Sequence, residues 1–265
     1  MRGGIFLSGL SVVLAAHGAV TARADIISHI PTNDKVVALT FDACEASERV
    51  SFDHGILDYL LAREIPFTVF ASGKFVEDNA VEVTELSKLD FVDIENHSWN
   101  HPNFMNHFSR EAVVEEVRRA EESIVAATGR APQFFRFPAG NYDESGLKAV
   151  EELGYTVVHW RWASGDPDRR EGANALFRRA TSKVEPGDIL IFHINGRGVH
   201  TAEALPRIVD ELQTRGYRFV LVSDYIGRPH PKAVAVPFAA ASMIGRELNE
   251  LLTRAPLLAL PQAVD

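Results

Sequence analysis

Five polar side chains stand at or just after the ends of apolar stretches. Asp42 follows VVALTF, His97 follows FVDIE, Arg136 lies in FFRF, Asp166 follows YTVVHWRW, and His193 sits near the end of ILIFHI. Carboxylates and imidazoles are the groups that move protons or bind metal ions near neutral pH. His97 and His101 are four residues apart. On one helical turn they would share a face, which suits two ligands of one zinc-like ion. Ordinary surface or core histidines fit the same spacing. Arg136, if buried, needs a carboxylate partner. The following Pro138-Ala139-Gly140 turn can aim a backbone N–H inward, as an oxyanion donor must; a strand-ending turn with a solvent-facing arginine fits that stretch as well. His193 becomes a candidate acid only if a carboxylate such as Asp166 touches it.

These residues need elements to position them. β-branched and aromatic runs predict strands over 36–41, 67–72, 91–95, 134–137, 155–162, 188–194 and 217–223. Between them, helices are expected around 53–63, over 79–88, over 110–127 with Ser109 as cap and Gly129 as stop, over 143–153, over 173–183, and over 202–215 capped by Thr201. Strand followed by helix, repeated along the chain, predicts an α/β fold with parallel strands and outer helices. The sheet is either an open doubly wound sheet or a closed barrel. In both, ligands meet the carboxyl ends of the strands, where the five polar residues lie.

The chain has 265 residues, and 46% of its side chains are hydrophobic, enough for one sizeable core. Arg2, the apolar stretch IFLSGLSVVLAA and the small residues Ala22 and Ala24 read as a secretory signal over 1–24, cleaved before Asp25. That stretch is too short for stable membrane insertion. Losing Arg2 and Arg23 with the leader takes the net charge from −9 to −11. Such an acidic chain is a poor nucleic-acid binder. Cys44 is the only cysteine, so there is no disulfide framework. Residues 25–228 form the expected domain. The tail, 229–265, begins with the linker-like RPHPKAVAVP and contains one possible helix.

Order along the chain adds what no single motif supplies. TFDAC, HSWNH, RFPAG, the Asp after WRWASG and IFH follow one another across residues 40–193. Together they resemble the polysaccharide deacetylases of carbohydrate esterase family 4, over roughly residues 34–226. The resemblance implies a distorted (β/α) barrel of about seven parallel strands. It implies an enzyme that removes N- or O-acetyl groups from an acetylated glycan by metal-assisted hydrolysis, and the leader over 1–24 makes it an exported one, periplasmic or secreted. Carried over by position, Asp42 is the base and Arg136 orients it. His97 and His101 bind a divalent metal, zinc first. Ala139 supplies the oxyanion N–H, His193 is the acid and Asp166 tunes it, and Ile191 lines the acetyl pocket.

One position departs from that pattern. The family's third metal ligand is an aspartate directly after the base, and here it is Ala43. Asp42 itself, Cys44 or Glu45 would have to reach the metal, or water would fill the gap. Two other functions therefore stay open. One is a metal-independent amide hydrolase on the same scaffold. The other is a non-catalytic glycan-binding protein that offers Trp99, Trp160 and Trp162 to sugar rings.

Overall fold

The computed structural model describes residues 26–44 and 50–226. The expected leader and C-terminal tail lie outside these residues, and so does Glu45. In chain order the elements are β1 (Val36–Ala43), α1 (His54–Ala62), β2 (Phe67–Ala71), α2 (Gly73–Asp78), α3 (Ala80–Leu86), β3 (Val92–Asn96), α4 (Arg110–Thr128), β4 (Phe134–Phe135), α5 (Glu144–Glu152), β5 (Thr156–Val157), α6 (Ala173–Ser182), β6 (Asp188–His193), α7 (Thr201–Thr214) and β7 (Arg218–Phe219). The strands form one curled parallel sheet in the order β5-β4-β3-β2-β1-β6, with β7 also pairing β1. This is the distorted barrel with outer helices.

Strand alternation sorts the side chains into two layers. Val37, Leu39, Phe41 and Ala43 of β1 face outward into a core built with Ile56, Leu60, Leu176, Ile208 and Leu212 of the helices. Val36 and Ala38 face inward and meet Phe70, Phe134, Val158, Ile189 and Val222. Asp42 shares this inward parity, so the site sits above an apolar barrel interior. A third cluster, with Val113, Val117, Phe135, Val150 and Val157, docks α4 and α5 onto β4 and β5.

Several expectations change. The segment expected as one helix over 79–88 holds α3 alone, and α2 precedes it, separated by Asn79. The strands expected over 134–137, 155–162 and 217–223 form ladders of only two residues each. β4 stops because Pro138 turns the chain. β5 lies at the sheet edge, and beyond it only an isolated bridge from Ile27 to Val158 continues the pairing. Thr201 does not cap α7; it is the first helical residue, and its hydroxyl bonds Asp166 instead. No helix among the described residues is long and apolar enough to cross a membrane.

Candidate active site

Register places the central pair. In the β1–β6 ladder, Asp42 and His193 are direct neighbours, and both stand at the carboxyl ends of their strands. Behind His193, its Nδ1 and an Asp166 oxygen are 2.9 Å apart. Asp166 is buried, and it also accepts from Ser164 Oγ (2.9 Å), Thr201 Oγ1 (2.9 Å) and the His193 backbone N–H (2.7 Å). Those bonds fix the carboxylate, which in turn fixes the tautomer and direction of the ring.

Asp42 is held from the other side. Fully buried Arg136 donates through Nη1 to Asp42 Oδ1 at 2.8 Å, while its Nε donates to Val158 O. Burial pushes the Asp42 carboxyl up, but His97, Arg136 and His193 outweigh it and hold its pKa at about 2. Asp42 is therefore a carboxylate throughout the physiological range.

The two histidines do not lie on a helix, contrary to the expectation from their spacing. Residues 97–101 form a loop in which Ser98 (φ 66°) and His101 (φ 50°) take left-handed backbone conformations. Asn96 Oδ1 accepts from Ser98 N, and Ser98 Oγ accepts from His101 N. That local network supports the costly conformation. It brings the rings together nonetheless, with centroids 4.9 Å apart. His97 Nδ1 donates to Arg136 O at 2.8 Å, which leaves its buried Nε2 unprotonated, without a hydrogen-bond partner, and 3.4 Å from Asp42 Oδ2. Burial lowers the His97 pKa. Burial and His97 bring that of His101 to about 3, and buried His101 Nδ1 likewise has no hydrogen-bond partner.

These orphaned nitrogens are what a metal would use. The third ligand is nevertheless missing. Ala43 is fully buried and faces the helical core. Cys44 Sγ has Arg197 Nη1 at 3.4 Å and Asn195 Nδ2 at 3.5 Å as its neighbours, and burial raises its pKa. Among the described residues, no three His, Cys, Asp or Glu side chains are arranged to hold an ion. The donors present do not fit a three-ligand zinc site.

Ala139 is exposed and strained at φ 53° in the turn after Arg136. The turn's own bonds use the N–H groups of Gly140 and Asn141. Ile191 lies buried one inward position below His193 on β6. Of the three tryptophans, only Trp160 stands beside this turn, its ring 3.2 Å from where a Cβ on Gly140 would be. Trp99 is taken up by Arg119 (3.3 Å from its ring centre) and Lys74 (4.9 Å), and Trp162 packs on the helix-facing core.

Two residues near the site escaped the sequence reading. Buried His159, whose Nε2 has no hydrogen-bond partner, stacks on Trp160 and contacts Tyr142. It was hidden inside an apolar run. Arg197 lies in the loop after β6, where only the glycines around it hinted at a special backbone.

A sequence model described as polysaccharide deacetylase matches residues 29–158. A peptidoglycan-N-acetylglucosamine deacetylase from Bacillus cereus is 28% identical over 203 residues, spanning 76% of this chain and 92% of the relative. The solved structure of a peptidoglycan N-acetylglucosamine deacetylase, in complex with 4-naphthalen-1-yl-N-oxidanyl-benzamide, superposes with a TM-score of 0.68. It is 28% identical and covers 76% of this chain and 92% of its own. A mutant of a carbohydrate esterase family 4 pseudoenzyme, described as having restored enzymatic activity, superposes with a TM-score of 0.64. It is 25% identical, covering 73% and 68% of the two chains. Motif order, barrel and sequence match agree, and all three support a polysaccharide deacetylase of carbohydrate esterase family 4.

Proposed function

We propose that this chain hydrolyses the acetamide of an N-acetylated amino sugar in a peptidoglycan-type glycan, after export to the periplasm or cell exterior. The observation that carries the reading is the direct pairing of Asp42 with His193 across β1 and β6, with Asp166 behind the imidazole. A base and an acid on neighbouring hydrogen-bonded strands can serve the two ends of one scissile bond. Arg136 keeps Asp42 anionic and oriented. Asp42 accepts the proton of the attacking water, and the Ala139 N–H meets the developing oxyanion. His193 gives its proton to the amine nitrogen as the C–N bond breaks, releasing acetate. The named activities of the peptidoglycan deacetylases among the relatives support this substrate class, and the leader-like residues 1–24 support export. The divalent metal expected from the resemblance would rest on His97 and His101. That donor set falls short of the three ligands of a zinc site, and the proton transfers rest on Asp42 and His193.

Ala43 and the likeness to a pseudoenzyme scaffold favour a second reading, glycan binding without turnover. Acetate release from N-acetylglucosamine oligosaccharides and from peptidoglycan separates the two. The deacetylase reading expects acetate from the wild type and a loss of at least about 100-fold in His193→Ala. Saturable sugar binding with no acetate from either protein would establish the binding reading instead. Elemental analysis of the same preparation reads the metal content directly.

A further inference from the structure

The lost carboxylate at Ala43 has a counterpart in a cation held beside the neighbouring Cys44. Asn195 Nδ2 bonds the Cys44 carbonyl, and Asn195 Oδ1 accepts from Arg197 N (3.4 Å). Arg197 Nη1 donates to Cys44 Sγ at 3.4 Å. Its guanidinium thus rests on the residue next to Ala43, just past the carboxyl end of β1 where Asp42 stands. Among the described residues, no carboxylate pairs with it. The loop that carries it has little freedom. A Cβ on Gly198 would fall 2.5 Å from Thr201 Oγ1, 2.6 Å from His193 O and 2.7 Å from Asp166 Oδ2. The backbone beside Arg197 is therefore pressed against the Asp166–His193 pair.

Formal charge makes the counterpart quantitative. A divalent ion with one carboxylate ligand gives a site a net +1. Alanine with one guanidinium gives the same +1. A guanidinium is also planar and always charged, and it donates in a fork that matches an oxyanion. In addition, a fixed cation beside Cys44 opposes the entry of a second one there.

We propose that Arg197 is the electrophile of this site, polarising the acetyl carbonyl in place of a metal ion. The proposal rests on the hydrolytic reading above. Water adds to the carbonyl carbon while Asp42 takes its proton. The carbonyl π pair moves onto oxygen, which is held by Arg197 and the Ala139 N–H. The pair then reforms the C=O bond, and the C–N pair leaves on nitrogen, protonated by His193. The products are acetate and a free amine.

The test follows acetate from N-acetylglucosamine oligosaccharides after exhaustive chelation, for wild type, Arg197→Gln, Arg197→Lys and Arg197→Ala. We expect wild-type turnover to survive chelation. Arg197→Gln should lose about 100- to 1,000-fold in kcat, the range for removing an oxyanion donor, with KM within about threefold. Arg197→Lys should keep part of the rate, and added guanidinium should partly rescue Arg197→Ala. Because the side chain is exposed, melting temperatures should match, so a rate loss is not a folding loss. Turnover abolished by chelation and restored by zinc would overturn the proposal while leaving the deacetylase reading intact. So would an unchanged kcat in Arg197→Gln, or a change confined to KM. No acetate from the wild type under any condition would overturn the deacetylase reading, and Arg197's role with it.

Discussion

At the scale of residues, the site contrasts carboxylates that are over-satisfied with imidazoles that are under-satisfied. Asp166 accepts four hydrogen bonds, while His97, His101 and His159 each keep a buried ring nitrogen without a hydrogen-bond partner. A buried neutral imidazole makes stability depend on pH with a definite sign. Burial, reinforced by Arg136 and His97 against the pull of Asp42, lowers the His159 pKa from 6.5 to about 4. The unfolded chain binds that proton first. The stability that neutral His159 contributes is therefore complete above about pH 6.5 and lost as the pH falls towards 4. His159→Phe keeps the packing against Trp160 and Tyr142 and removes the titration. Relative to this variant, the wild type should lose roughly 3 kcal/mol between pH 7 and pH 4. Urea unfolding at several pH values reads the difference, and a constant gap would mean that His159 is not desolvated. Much of this scale was legible in the sequence. A buried arginine needs a carboxylate, and Arg136 has Asp42; a strand-end histidine needs an orienting acid, and His193 has Asp166. Arg197 and His159 were not legible, because one stands in a loop without periodicity and the other inside a run that reads as core.

At the scale of elements, the strand ends deliver the chemistry and the loops fix its direction. The sequence located all seven strands but overextended three of them, since β-propensity marks a side chain's preference and not the partner needed to form a ladder. It also read HxxxH as a helical turn, when left-handed residues at Ser98 and His101 bring the rings together instead. Spacing alone does not distinguish those two backbones. The loop between β6 and α7 is the element most tightly bound to the site. Gly198 has no room for a Cβ against Thr201, His193 and Asp166, so Gly198→Ala must move either the loop or the carboxylate. We predict that this single methyl lowers kcat by at least about tenfold, in line with the sensitivity of catalysis to displacements near 1 Å. The expected change in melting temperature is only a few degrees. Full activity in Gly198→Ala would show that the loop yields without disturbing the Asp166–His193 pair.

At the scale of the whole molecule, the curled sheet has a seam between β5 and β6, and residues 27–30 span it. Ile27 bridges to Val158 on one side, and His29 bridges to Asp188 on the other. Ile30 donates to Gly187 O and is fully buried in the barrel interior with Val36, Ala38, Ile189 and Val220. The seam therefore supports the apolar floor beneath the site, while the central pair depends on the β1–β6 ladder itself. Those two dependences predict separable effects. Ile30→Ala removes buried methyl groups and leaves a cavity in the floor, costing about 3 kcal/mol. For a domain of this size, that corresponds to a fall of roughly 6–12 °C in melting temperature. The Asp42–His193 register should survive, because its strands stay hydrogen-bonded to each other. Acetate release at 25 °C should then remain within about threefold of the wild type while the protein stays folded. Calorimetry and steady-state kinetics on the same preparation check both halves. A loss of activity beyond tenfold in folded Ile30→Ala would show that the seam positions the catalytic face as well as stabilising the barrel. In that case Arg136, which reaches Asp42 from the β4 side, would be the group whose displacement transmits the change.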